Sequence, residues 1–233
     1  MTFNKFIGCA TFLIISGFLP MIAQEESVKP GINESWKSET IDPLVDRLES
    51  ESREIYTNRE ALAQIIGIKP GQSVADIGAG SGFMAMIFAK MVGPTGHVYA
   101  VDINPTMMDR VSEMAAKENL DQLKTVVCTD VSTELKPNSV DLIFICDTYH
   151  HFEYPNTVLK SIHEALRPGG QMIVVDFKRV EGESESWILS HVRAGKEVFT
   201  AEIVANGFKL VEEHKVDFLK ENYILRFAKT AKP

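Results

Sequence analysis

Cysteine is scarce in this chain. There are three in 233 residues, Cys9, Cys128 and Cys146, and three thiols cannot make the disulfide framework of a small secreted scaffold. Basic charge is in deficit as well. Lys and Arg number 24 against 32 Asp and Glu, a net charge of −8, so no broad cationic field exists to hold a polyphosphate backbone, and nucleic acid is excluded as the expected partner. No internal repeat or low-complexity tract is visible, which removes solenoids and fibres. What remains, 45% hydrophobic, 24% charged and 9% aromatic residues, is the mix of one ordinary folded domain.

The first two dozen residues are of another kind. Lys5 and the amino terminus carry positive charge, and residues 6–24, FIGCATFLIISGFLPMIAQ, carry none. This has the outline of an export signal. Pro20 and the Ala23-Gln24 step suggest cleavage after Ala23, while the large Met21 leaves an uncleaved anchor open as the one route to a membrane. Lys5 before the stretch and Glu25, Glu26 and Glu34 after it place the domain outside. The alternative is a mis-chosen start ahead of a cytoplasmic protein. Residues 1–23 are read as signal or anchor and 24–40, polar and without apolar periodicity, as a linker. The folded domain is expected over residues 41–233.

Within residues 41–66 the apolar positions recur at helical spacing, predicting two helices broken near Tyr56. Short apolar runs then follow at SVADI, HVYAV, KTVVC, VDLIFIC and QMIVVDF, and helical patterns stand between them at residues 83–92, 105–117 and 155–166. Alternating strand and helix with near-continuous apolar strands means an α/β fold, a parallel sheet covered on both faces. After a polar loop and a helix over 196–206, FKLVEEHKVDF and NYILRFAKT are too close in sequence for a parallel crossover. They are expected to form an antiparallel hairpin.

The chemistry centres on VADIGAGSGF, where a strand carrying Asp76 gives way to Gly78, Gly80 and Gly82 before a helix begins. Glycines let the backbone turn and approach a ligand closely, and the helix amino terminus behind them offers free N–H groups. Dinucleotide enzymes use a similar turn, with two differences. The spacing here is G-x-G-x-G, and Asp76 precedes it where a carboxylate would repel a pyrophosphate but accept from an ammonium group. Asp102 ends the next strand, placed to accept both hydroxyls of an unphosphorylated ribose. Asp130, in CTDVS, can meet an exocyclic amino group. The three acids describe a ligand with an amine, a ribose and an adenine, and without phosphates.

VADIGAGSG, VYAVDI, CTD and VDLIFICDTYHHF…LRPGG together resemble the class I S-adenosylmethionine-dependent methyltransferases, over residues 41–233. The resemblance implies a Rossmann-like, doubly wound seven-stranded sheet of order 3-2-1-4-5-7-6 with the last strand antiparallel, preceded by amino-terminal helices, and S-adenosylmethionine as cofactor. It implies that Asp76, Gly78 and Gly80 line the methionine end, with Ala79 and Gly82 in the same loop. Asp102 would hold the ribose, Ile103 would pack on the ring, Asp130 with its neighbour Val131 would meet the adenine, and Cys146 and Asp147 would close the pocket. That strand order also separates Cys128 from Cys146 by three strand spacings, roughly 14 Å, so both should be free thiols.

Methyl transfer requires alignment of the acceptor, and a base only if the acceptor arrives protonated. Tyr149, His150 and His151 follow strand four, where ligands of open α/β sheets bind, and are the candidate catalytic residues, against a purely structural role beside the cofactor. Asp147, His150, His151 and Asp176 could gather metal ligands, but Asp176-Phe177 stands where related O-methyltransferases carry an Asp-Asn pair, and no metal is expected. Arg53, Glu54, Tyr56 and Arg59 on the amino-terminal helices, and a loop over 178–193 with Trp187 and His191, are candidates for covering a small-molecule acceptor. Ring-methylating quinone-biosynthesis enzymes are the most similar branch. GIKPGQSVADIGAGSGF is also similar to protein isoaspartate O-methyltransferases, and the two distant thiols depart from the arsenite branch. A binding module without turnover is the alternative from another class. A nicotinamide-dependent oxidoreductase is not expected.

Overall fold

A computed structural model describes Met1 and residues 25–231. The stretch read as an export signal or anchor, residues 1–23, lies outside the described residues apart from Met1. Among the described residues no helix is long and apolar enough to cross a membrane.

Three short helices open the domain, α1 (Asp42–Leu48), α2 (Glu54–Thr57) and α3 (Arg59–Ile66). This corrects the expected pair broken at Tyr56. The main interruption falls at residues 49–53, and Asn58 separates α2 from α3. The polar run ESESR offers hydroxyls that compete for backbone hydrogen bonds, and Ser50 Oγ accepts from the backbone N–H of Ser52. Gly67 ends α3 at φ 70°, a left-handed stop that glycine adopts without a Cβ penalty.

The sheet is built from β1 (Ser73–Ile77), β2 (His97–Asp102), β3 (Leu123–Val127), β4 (Val140–Cys146), β5 (Leu166–Phe177), β6 (Phe208–His214) and β7 (Asn222–Lys229). Between them run α4 (Phe83–Val92), α5 (Pro105–Lys117), α6 (Pro155–Ala165), α7 (Ser186–His191) and α8 (Lys196–Ala205). Strand order is β3-β2-β1-β4-β5-β7-β6 among the described residues, with β7 antiparallel to both β5 and β6. The expected architecture is therefore the observed one. All five β1 residues are buried, because β1 lies between β2 and β4 with helices on both faces. Its alternate residues feed two cores: Val74 packs with Phe88, Met107 and Phe144 on one face, and Ala75 with Ile143, Leu159 and Phe199 on the other. The outer strand β6 exposes most of its residues, including Lys209, Glu212 and Glu213, and charge on an edge strand discourages pairing with other chains.

Two expectations fail for one reason, tertiary contact that local composition does not report. Residues 25–40 are no free tether. The backbone N–H of Val28 donates to the Glu153 carbonyl, Ser27 Oγ donates to Glu153 Oε2 at 2.8 Å, and a 3-10 turn, Glu34–Lys37, lies along the carboxyl edge of the sheet. The loop over 178–193 likewise contains α7, whose Ile188 is buried.

Candidate active site

Two adjoining cavities open at the carboxyl ends of β1, β2 and β4, where the strand order reverses and ligand crevices form in open α/β sheets. The smaller is lined by Gly78, Gly80, Asp102, Ile103, Asp130 and Thr148, among others, and by no lysine or arginine among the described residues. The larger, about 640 Å³, is lined by Asp76, Ala79, Cys146, His150, Trp187 and His191 among others. Trp36, Leu48, Gly78, Asp147 and His151 line both and form the junction.

The glycine turn works as its spacing suggests. Gly78 and Gly80 have φ of 75° and 53°, and a Cβ on Gly78 would stand 2.2 Å from Thr148 Oγ1. Gly82 differs. At φ 83° it starts α4, and a Cβ there would lie 2.5 Å from Val111 of α5. It lines neither cavity, and its close contact is with helix packing.

Asp76 is 3% exposed, and its Oδ2 is buried without a hydrogen-bond partner among the described residues. Burial, reinforced by the nearby Asp102 carboxylate, pushes its pKa up to about 7. A buried acceptor with no donor is costly unless a ligand supplies one. Asp102 is oriented by its own turn: Oδ2 accepts from the Gly80 N–H and Oδ1 from the Asn104 N–H, both at 2.9 Å. Burial raises its pKa, and those backbone donors oppose the rise. Each oxygen keeps a lone pair for a ribose hydroxyl. These residues therefore fit a phosphate-free adenosyl ligand bearing an ammonium group.

Asp130 is in place but engaged. Asn33 Nδ2 donates to its Oδ1 at 3.2 Å and Lys37 Nζ to its Oδ2 at 3.1 Å, so the segment read as a linker supplies the edge of the adenosyl cavity. Val131, by contrast, is 38% exposed and lines neither cavity. Cys128 and Cys146 are free, and burial pushes the Cys128 thiol up to about 12 and the Cys146 thiol well above its ordinary value.

Asp147 follows the last residue of β4 at φ 49°, a left-handed conformation that an aspartate enters at some cost. Arg53 Nη2 donates to its Oδ2 and Asn222 Nδ2 to its Oδ1, each at 2.6 Å. Burial raises the Asp147 pKa, with Arg53 opposing. Glu54, another covering candidate, accepts three backbone N–H groups from residues 220–222. It pins the β6–β7 connection over the site. Tyr56 packs edge-on against Phe83, and Arg59 stacks on Tyr56.

The three candidate catalytic residues separate. Tyr149 is fully buried, lines neither cavity and donates its hydroxyl to Glu202 Oε2 at 3.0 Å. Its pKa is raised by burial, and its place is the core beside Phe152 and Phe199. The 3-10 turn Tyr149–His151 sends successive side chains in different directions, which carries Tyr149 away from the cavity that His150 and His151 face. His150 Nδ1 donates to Asp176 Oδ1 at 2.8 Å, and Asp176 also accepts from the backbone N–H groups of His150 and Phe177. Asp176 is wholly buried and does not face the cavity. Burial and the neighbouring histidines lower the His151 pKa to about 2, and burial with His150 lowers His191 to about 4. His191 on α7 reaches the same wall, with Trp187 packed on Phe177.

Several residues were not singled out from sequence. Asn33, Trp36, Leu48, Thr148 and Asn222 are placed here by segments far apart in the chain, and only Trp36, a lone tryptophan in a polar stretch, carries any local signal.

The family model described as "Methyltransferase domain" matches residues 75–174, a stretch that holds the glycine turn and all three strand-tip acids. Residues 75–174 thus match a methyltransferase domain, and the sheet that contains them has the strand order implied by the resemblance to class I S-adenosylmethionine-dependent methyltransferases. Among curated proteins, the chain is 33% identical over 121 residues to the ubiquinone/menaquinone biosynthesis C-methyltransferase UbiE of Hydrogenovibrio crunogenus, covering 50% of this chain and 46% of that protein. The chain spans about half the length of the curated relatives it matches. Among solved structures, a SAM-dependent methyltransferase from Aquifex aeolicus superposes with a TM-score of 0.71 at 24% identity, covering 81% of this chain and 98% of that one. The [4+2]-cyclase SpnF gives 0.65 at 14% identity, covering 75% and 82%. The fold is shared with a cyclase, so the fold alone does not fix the reaction.

Proposed function

We propose that this protein is an S-adenosylmethionine-dependent methyltransferase acting on a small, planar, apolar acceptor of the hydroxylated-ring class. The observation that carries the reading is the pairing of two cavities at one junction. One is lined by acids and, among the described residues, by no lysine or arginine, and the other is large enough for a small molecule. Bound at the glycine turn, S-adenosylmethionine supplies an electrophilic methyl group on a sulfonium.

The chain's own residues bind and align. Asp76 Oδ2 accepts from an ammonium group, the Asp102 oxygens accept the ribose hydroxyls, and Ile103 packs against the ring. Asp147, held between Arg53 and Asn222, keeps a carboxylate at the junction, where negative charge favours a sulfonium. Trp36, Phe83, Phe177 and Trp187 give the acceptor cavity aromatic walls, suited to orienting a flat substrate. Alignment of this kind can supply much of the acceleration of a displacement. The ubiquinone/menaquinone C-methyltransferase relatives support a ring acceptor. The export reading of the amino terminus belongs to the same proposal, and fractionation of cells expressing the full chain tests it.

The test is a methyl-release assay on a panel of hydroxylated aromatic compounds, run beside calorimetry with S-adenosylmethionine. The expected result is cofactor binding with turnover on a ring acceptor. Binding without turnover on any member, or turnover on proteins alone, overturns the acceptor class.

A further inference from the structure

The acceptor cavity holds a feature that neither the adenosyl site nor the alignment of a ring uses. His150, His151 and His191 each offer one ring nitrogen, and these atoms all lie within 4.8 Å of one another. His150 and His151 are adjacent in the turn after β4, while His191 comes from the end of α7, 40 residues beyond His151. Ring centroids are separated by 4.4, 5.1 and 5.0 Å. The imidazoles come from two segments and meet tilted or edge to face, at interplanar angles of 41°, 77° and 63°.

Three details give the cluster a purpose. First, His151 Nε2 and His191 Nε2 stand 3.3 Å apart. That is long for a good hydrogen bond, but two nitrogens bound at about 2.0–2.1 Å to one tetrahedral zinc ion stand about 3.3 Å apart. Second, His150 Nδ1 is committed to the buried Asp176 carboxylate at 2.8 Å. A carboxylate can only accept there, so the proton sits on Nδ1 and Nε2 keeps its lone pair. This carboxylate–histidine arrangement typically backs a metal ligand. Third, His151 Nδ1 is buried with no partner among the described residues, so no hydrogen bond to that nitrogen fixes the ring's tautomer against presenting a lone pair to an ion.

We propose that His150, His151 and His191 form a binding site for one zinc-class divalent cation, with Asp176 as the positioning residue behind His150. Three imidazoles and no carboxylate in direct reach select a borderline transition ion over magnesium. Three protein ligands also leave a coordination position open, the pattern of catalytic and not structural zinc. That position faces the cavity of about 640 Å³ that the three histidines line, so the fourth ligand would be a hydroxyl or thiol of the acceptor. This last step rests on the methyltransferase reading; the cation site does not. The proposal departs from the expectation of no metal and from the ligand set first considered, because His191 takes the place that Asp147 and Asp176 would have held.

The full chain, stripped with chelator and dialysed, is titrated with Co²⁺ and followed by visible absorption, then challenged with Zn²⁺ and with Mg²⁺. One equivalent of Co²⁺ should bind with the intense absorption of a four-coordinate site, Zn²⁺ should displace it, and Mg²⁺ should not. His191→Ala, at a half-buried position on a short helix, should weaken binding more than about tenfold, and Asp176→Asn about 10- to 100-fold. His214→Ala, on the outer strand, should leave it unchanged. Circular dichroism checks that each variant is folded, and calorimetry with S-adenosylmethionine on the same samples reports the adenosyl site separately. Absence of the absorption, or an unchanged titration in folded His191→Ala, overturns the cation site whether or not the cofactor binds.

Discussion

Arg53 reaches from the start of α2 to Asp147 at the tip of β4, its Nη2 donating to Oδ2 at 2.6 Å across 94 positions of sequence. The two side chains are 22% and 8% exposed. Arg53 Nη1 also donates to the Leu48 carbonyl at 3.0 Å, so one guanidinium ties the amino-terminal helices to the strand end that carries the site. Arg53→Met should leave the Asp147 charge buried beside a single amide donor and cost about 2–3 kcal/mol, below a fully buried pair because Arg53 is partly wet. Denaturant unfolding measures the loss, and the double variant Arg53→Met/Asp147→Asn should recover part of it.

The glycines divide into cavity-lining and packing positions, and substitution separates them. Gly80→Ala meets only the tip of Leu48, 2.7 Å from the added Cβ, at φ 53°. Its stability cost should stay near about 1–2 kcal/mol while cofactor affinity falls at least about tenfold. Gly82→Ala drives a Cβ against Val111 at φ 83° and should cost more stability than Gly80→Ala. Calorimetry and unfolding on both variants check the contrast.

Asp76 predicts the pH dependence. Its pKa is raised to about 7 in the fold from an ordinary 3.8, so the unfolded chain ionises first. This group's contribution to stability is therefore full below about pH 4, declines as pH rises, and is level above about pH 7. Cofactor affinity runs the other way, because only the carboxylate pairs with an ammonium group. Affinity should rise roughly tenfold from one unit below the pKa to one unit above it. Titration calorimetry at several pH values checks this, and Asp76→Asn should abolish the rise.

The parts of this protein that could be read from its residues are those whose signals are local. The buried run SVADI, the glycine spacing after it and Pro105 behind Asn104 each carry their physical cause within a few residues, and the corresponding strand, turn and helix start lie where expected. The parts that were misread depend on distant partners. Residues 25–40 look like solvated chain until Glu153, Asp130 and Asn104 supply acceptors and donors. Tyr149 looks like a cavity residue until the turn directs its hydroxyl to Glu202. Asp76 and Asp102 were legible because a strand end fixes their direction, whereas His191 joined the site only through the packing of α7.

Asn104 joins a helix cap to the amino-terminal segment. Its Oδ1 accepts from the Met107 N–H at 3.0 Å, and its Nδ2 donates to the carbonyls of Trp36 and Ser38 at 2.7 and 2.8 Å. Asn104→Ala should cost about 1–2 kcal/mol from the lost cap and release the segment. Hydrogen exchange should quicken over residues 33–38 more than over the β1–β4 core.

The most direct measurement is calorimetric titration of the purified chain with S-adenosylmethionine, wild type beside Asp102→Ala. One molecule should bind per chain, and the variant should lose about 100-fold or more, the worth of two hydrogen bonds to a charged acceptor. Wild-type protein that takes up none, or a folded Asp102→Ala protein that binds undiminished, would contradict an adenosyl site built on the strand-tip acids.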